Sequence, residues 1–208
     1  MTVALGIPSH SGTIHTVTQR AIMSCFGLFH SLCFMDGCSD LCKARNSVVA
    51  QFLHGECDRL LFVDTDMDFP RGDVESLLAH DLDVVAAVYP AKRPDDGRPM
   101  VWPQPERLYG LQQVRRAATG LMAIKRSVFT RIRDHWGDRL YHDETWGTCY
   151  DYFPGGIELR SRDTKGRLMH LSDDYAFCEM CAAAGVEVWA DLSIQLGHVG
   201  PVTYRIRS

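Results

Sequence analysis

Arg59-Leu60-Leu61-Phe62-Val63-Asp64-Thr65-Asp66-Met67-Asp68-Phe69-Pro70 decides how this chain is read. From Leu60 to Val63 every side chain is apolar, the pattern of a strand covered on both faces in a parallel sheet. The run stops abruptly in aspartates at alternate positions, Asp64, Asp66 and Asp68. In open α/β sheets, ligands collect outside the carboxyl ends of strands. Short carboxylates there suit a hard divalent cation, Mg2+ or Mn2+, which in turn binds phosphate oxygens. Asp68, just before the next helix, reads more simply as its cap. An EF-hand is excluded, because its sixth position needs glycine and holds Phe69, and a strand, not a helix, leads in. Asp64 as a phosphoryl-accepting nucleophile lacks the downstream lysine and acidic pair that chemistry needs.

The flanking sequence alternates between strand and helix patterns. Val3 to Ile7 reads as a first strand closed by Pro8, and Thr16 to Phe29 has helical spacing of apolar residues. Leu32 to Met35 reads as a strand, followed by a helix capped by Ser39 or Asp40 and ending near Gly55. After the aspartates come a helix from Arg71 to His80 and a buried strand from Asp83 to Val88. This rhythm predicts an α/β fold with a mostly parallel central sheet flanked by helices. Beyond Tyr89 the pattern becomes irregular. A Pro-rich loop is expected over Lys92–Pro105, then strands over 111–118 and 121–124 and a helix to Trp136. An aromatic loop over Tyr141–Phe153 leads to a helix over 172–184 and a strand over 186–190. The aromatics of that loop suit either stacking on a sugar or base, or simple packing.

The chain has 208 residues, 46% hydrophobic and 23% charged, which fits one domain with a substantial core. Its two halves, 1–104 and 105–208, differ in character. No apolar run reaches the ~18 residues of a membrane span, and no Lys or Arg precedes Arg20. The expectation is a soluble, cytoplasmic protein without a transmembrane segment. The eight cysteines then read as reduced structural thiols. A net charge of −4 gives no general reason for nucleic-acid or membrane binding. Residues 105–167 are nonetheless basic, with 12 Lys and Arg against 8 Asp and Glu.

Leu61–Pro70 resembles the Asp-x-Asp segment of GT-A fold glycosyltransferases. Five further stretches resemble the same family, in its order: Ile7-Pro8-Ser9, Ala44-Arg45-Asn46, Thr119–Phe129, Leu171–Phe177 and Gly197-His198-Val199-Gly200. The resemblance implies a single GT-A-like domain over 1–208, with a nucleotide-sugar-binding half over 1–104 and an acceptor-binding half over 105–208. It implies a nucleotide-diphosphate sugar donor, Mn2+ or Mg2+, and an acceptor hydroxyl on a glycan, lipid-linked sugar, protein or modified nucleic acid. Asp64 would face the ribose or the metal, Asp66 would hold the cation, and His198 would be a third metal ligand. Pro8, Ser9, Arg45, Asn46 and Lys92 would serve the donor. Gly120, Trp146 and Asp173 would serve the acceptor, and Asp174 would be the general base. Asp173 departs from the family, which usually has Glu there. The segment around Gly197 and Gly200 is expected to fold back over the strand end as a lid. Arg160, Arg162, Lys165 and Arg167 keep a nucleic-acid acceptor open. A non-catalytic nucleotide- or sugar-binding module is the other class of function consistent with these motifs.

Overall fold

The computed structural model describes residues 1–93, 97–108 and 110–206. In chain order its elements begin with β1 (Val3–Pro8), α1 (Thr16–Ser24), β2 (Ser31–Met35), α2 (Leu41–His54), β3 (Arg59–Val63), β4 (Met67–Asp68), α3 (Arg71–Ala79) and β5 (Val84–Val88). They continue with β6 (Val101–Leu108), β7 (Leu111–Ala117), β8 (Leu121–Lys125), α4 (Arg126–Trp136), β9 (Leu140–Asp143) and β10 (Gly147–Tyr150). The last are α5 (Asp173–Ala183), β11 (Val188–Gln195), β12 (Gly197–Val199) and β13 (Thr203–Tyr204).

Strand β3 is wholly buried because helices cover both faces of the sheet. Leu60 and Phe62 pack with Val48 and Phe52 of α2, Phe129 of α4 and Phe177 of α5. Leu61 and Val63 face the other way, toward Ala21 of α1 and Val74 and Leu77 of α3. The period-two alternation of a strand thus explains why an unbroken apolar run was needed. Arg59, itself buried, donates to the Leu78 and His80 carbonyls at 3.2 and 3.0 Å, satisfying the end of α3.

The main sheet has the order β2-β1-β3-β8-β5-β11-β7-β6. It is mixed where the sequence rhythm predicted mostly parallel pairing. β1 pairs in parallel with β2 and β3, and β5 with β11. β8 enters antiparallel between β3 and β5, and β7 lies antiparallel to both β11 and β6. The reason is connectivity: β7 reverses the direction of β6 without a crossover helix, and β8 runs on in the direction of β7. Of the expected loop over Lys92–Pro105, residues 94–96 lie outside the described residues, and Val101 onward is strand β6. Pro103 sits in β6 at the sheet edge, where a missing N–H is tolerated. β2 is the opposite edge. There the Gln51 side chain of α2 accepts from Phe34 N at 3.1 Å and donates to Phe34 O at 2.9 Å.

The aromatic loop is settled by its packing. It contains the β9–β10 hairpin, and Tyr150, Tyr152 and Phe153 belong to the core, with Phe153 stacked on Phe177 at 4.5 Å. Asp40 caps α2 by accepting from Lys43 N at 3.2 Å. Asp68 does not cap α3, whose N-cap is Pro70; it pairs instead with Arg205. Cys178 and Cys181 are fully buried side chains of α5.

Candidate active site

The carboxyl ends of β1, β3 and β5 and the start of β8 meet at one edge of the sheet. There β3 delivers Asp64 and Asp66, β5 delivers Tyr89, and Gly120 precedes β8. Gly120 O accepts from Asp64 N at 3.1 Å, and Gly120 N donates to the Tyr89 hydroxyl oxygen at 2.9 Å. Pro8 and Ser9 end β1 at the same edge. The loop after them is tied to the aspartate segment by His15 N donating to Thr65 O at 2.9 Å.

Arg45 is the centre of a buried charge cluster. The α2 helix places its guanidinium against Asp173, in a direct ion pair, and against Asp64, at 3.3 and 3.4 Å to the two oxygens. Burial works against its charge, but Asp64, Asp173 and Asp174 outweigh that and hold it protonated. Burial pushes the Asp64 carboxyl up, with Arg45 only partly offsetting it. Asp174 is also pushed up, first by burial and then by the neighbouring Asp173. Its Oδ1 accepts from Ser172 Oγ and, at 2.8 Å, from Tyr175 N. Cys42 borders the same cluster, its thiol raised to about 12 by burial and by Asp173, Asp40 and Asp151. Beyond it opens a cavity of about 520 Å3 lined by Lys43, Arg139, Tyr141, Asp151 and Glu158 among others.

A second group forms around Asp66. Strand β12 pairs antiparallel with β4, placing His198 opposite Met67, and Val199 N donates to Asp66 O at 2.7 Å. His198 Nε2 consequently lies 3.6 Å from Asp66 Oδ2, although the two residues are 132 positions apart. His198 Nδ1 lies 2.9 Å from the Pro90 carbonyl, which can only accept, so this nitrogen carries the proton. In the neutral ring Nε2 therefore presents its lone pair toward Asp66. Lys92 Nζ donates to the same Asp66 oxygen at 2.5 Å. Burial would raise the Asp66 carboxyl, but Lys92 and, when its ring carries a proton on both nitrogens, His198 prevail and lower it.

Several expectations change on this geometry. Asn46 is spent on the chain itself: it donates to Asp151 at 2.8 Å and accepts from Tyr152 N and Phe153 N at 3.0 Å each. It fixes the aromatic segment and lines the cavity beside Cys42. Trp146 lies at the tip of the β9–β10 hairpin, where Asp143 accepts its backbone N–H at 3.0 Å. Asp173 is bound to Arg45, and Asp64 to the same guanidinium rather than to Asp66's partners. The 197–200 segment is not a free lid, because β12 is paired on both sides, with β4 and β13. Tyr89 was not singled out from sequence, though an aromatic residue at a strand's carboxyl end was the available signal. Among the described residues, no group of three or more His, Cys, Asp or Glu side chains gathers as a metal cluster.

Gly120 bears directly on Tyr89. An added Cβ would meet the Tyr89 ring at 2.5 and 2.6 Å and Met67 Sδ at 2.8 Å. Gly120→Ala is expected to destabilise the fold by about 1–3 kcal/mol through overpacking. Urea unfolding measures this, and an unchanged midpoint would show that the Tyr89 ring yields without cost.

No family model matches this sequence, and the search of curated proteins gives no match. Among solved structures, "A197 from STIV" is similar with a TM-score of 0.57 at 15% identity, covering 96% of this chain and 86% of that one. The inositol-1-phosphate CTP transferase from T. maritima has a TM-score of 0.46 at 12% identity, covering 92% and 89%. The nucleoside-diphosphate-sugar pyrophosphorylase from Vibrio cholerae RC9 has a TM-score of 0.44 at 10% identity, covering 92% and 72%. The likeness is one of fold. The fold is α/β, with a mixed central sheet flanked by five helices among the described residues, and it resembles GT-A-like folds.

Proposed function

We propose that this protein is a metal-dependent glycosyltransferase that moves a sugar from a nucleotide-diphosphate sugar to an acceptor hydroxyl. The observation that carries the reading is the meeting of Asp66, His198 and Lys92 at the carboxyl edge of the sheet, beside the buried Asp174 cluster. One carboxylate and one imidazole with a fixed tautomer fit Mn2+ better than Mg2+, since nitrogen is the softer ligand. Two protein ligands suffice for a cation whose remaining positions are filled by substrate phosphates and water. Lys92, a cation already seated on Asp66, supports the same reading of the site as one built for positive charge. Asp66 and His198 would hold the metal, which when bound neutralises charge on the departing diphosphate.

The chain's own residues do the rest. Lys92, released from Asp66, supplies an ammonium to the diphosphate. Pro8 and Ser9 shape the donor edge, and Arg45 holds Asp64 in register. Asp174 takes the proton from the acceptor hydroxyl as that oxygen bonds to the sugar carbon. The carbon–oxygen bond to the diphosphate breaks, and its electron pair leaves with the diphosphate. The cavity beside Cys42 would admit the acceptor.

The test is calorimetry of nucleoside diphosphate binding with and without Mn2+. In the parent chain Mn2+ strengthens binding. In Asp66→Asn that gain disappears, because a neutral amide is a poor ligand for a hard cation, while the circular dichroism spectrum is unchanged. If the variant keeps the full Mn2+-dependent gain, the metal is held elsewhere. If the parent binds donor but never releases nucleoside diphosphate with any acceptor, the chain is a binding module.

A further inference from the structure

Residues 156–171 form a hairpin whose two faces differ. Its stem is closed by the Gly156–Leu171 bridge, and a second bridge joins Arg162 to Leu168. One face is tied to the body: Arg116 of β7 donates to Ser161 Oγ at 2.9 Å and contacts Met169 Sδ at 3.6 Å. The other carries exposed Arg160, Arg162 and Leu168, with Lys165 at the tip. Arg167 is neutralised by Asp163, but no carboxylate pairs with Arg160, Arg162 or Lys165 among the described residues. Interleaved with these cations are exposed aliphatic side chains, Ile157 (57%) and Leu168 (44%). Leu140, also exposed, adjoins them through Arg139, which binds Glu158 at 3.1 Å.

We propose that this finger seats the protein on an anionic lipid surface, so that the acceptor is a lipid-linked hydroxyl presented to Asp174. The acceptor part rests on the glycosyltransferase reading; the docking part does not. Cations attract the negative surface, and aliphatic side chains among them enter the interfacial region. A nucleic-acid partner fits less well, because stacking on bases uses aromatic faces and no Phe, Tyr or Trp lies between Ile157 and Leu171. The stem ends at Leu171, directly before Ser172 and the Asp173–Asp174 pair. The finger is thus rooted beside the proposed base.

The experiment is co-sedimentation with vesicles of phosphatidylcholine alone and of phosphatidylcholine with phosphatidylserine. The parent chain should bind only the anionic vesicles, and added salt should weaken binding. Arg162→Gln with Lys165→Gln should weaken it about 30-fold, the loss expected for two basic residues at such a surface. Ile157→Ser with Leu168→Ser should weaken it at every salt concentration. All four positions are exposed, so both double variants should keep the parent's urea midpoint and its Mn2+-dependent nucleoside diphosphate binding. Asp66→Asn should still bind the anionic vesicles, which separates failure of the donor site from failure of docking. Absence of phosphatidylserine-dependent binding, or binding that survives both double variants, overturns the proposal. So does finger-dependent binding of an oligonucleotide by a chain that ignores the vesicles.

Discussion

Asp174→Asn is expected to lower sugar transfer by roughly 10²–10⁴-fold, the usual worth of a positioned general base, with donor binding unchanged. The substitution keeps the shape of the side chain and the bond from Tyr175 N, so folding is preserved. It removes the ability to accept a proton. The pH profile adds a second readout. Burial and Asp173 hold the Asp174 carboxyl above the ordinary carboxylate range, and the base works only when ionised. In the parent chain, transfer should therefore rise with pH through that elevated value. In the variant this limb should vanish and leave a low, flat rate. Near-normal turnover, or an unchanged acid limb, would remove Asp174 from the reaction and favour a retaining mechanism without this base.

The second large effect concerns stability. Arg45→Met should cost roughly 3–5 kcal/mol near neutral pH, the range for stranding partners of a buried ion pair. Arg45 is 2% exposed, and its guanidinium is what compensates Asp64, Asp173 and Asp174 in the interior. Without it Asp64 and Asp174, which burial already pushes up, lose the cation that offsets the burial, so their folded pKa values rise further above the unfolded value of about 4. Such a group destabilises the fold as pH increases from that unfolded value through the folded one. The variant should lie closest to the parent in acid and fall behind it as pH rises. Urea unfolding across that range tests both parts. A loss below about 1 kcal/mol without pH dependence would mean that water already screens the cluster.

The elements that sequence made legible are those whose pattern is local. The β3 run and its acidic end needed only an unbroken apolar stretch and a change of chemistry. Asp40, Gly55 and the apolar face of α2 marked that helix from both ends. What escaped was set by partners far along the chain. Pro103 and Pro105 read as loop residues, yet β6 is held as a strand by pairing with β7 at an edge. β11 starts later than expected and runs on to Gln195 through an irregularity after Asp191 that no short-range signal marks. The same division runs through the site. Asp66 and His198 were paired from the order of motifs, and the β4–β12 pairing brings them close. Asn46 matched a motif just as well, but its partners, Asp151 to Phe153, could be found only in three dimensions. A motif names a side chain's neighbourhood, while its hydrogen-bond partners determine whether it is free to meet a ligand.

The position of β8 bears on how the chain acquires its structure. β3 and β5 are successive strands of the main sheet along the chain, but they do not pair with each other; β8 fills the space between them. Until Leu121–Lys125 is available, two fully buried strands each have a row of unmet N–H and C=O groups. During synthesis the first 120 residues must then wait, with their most apolar segments unpartnered and open to self-association. Pairing of β8 joins the two strands and brings Gly120 beside Asp64 as it does so, while the other edge of β5 waits for β11. The step that closes the gap between β3 and β5 is the same step that seats Gly120 between Asp64 and Tyr89.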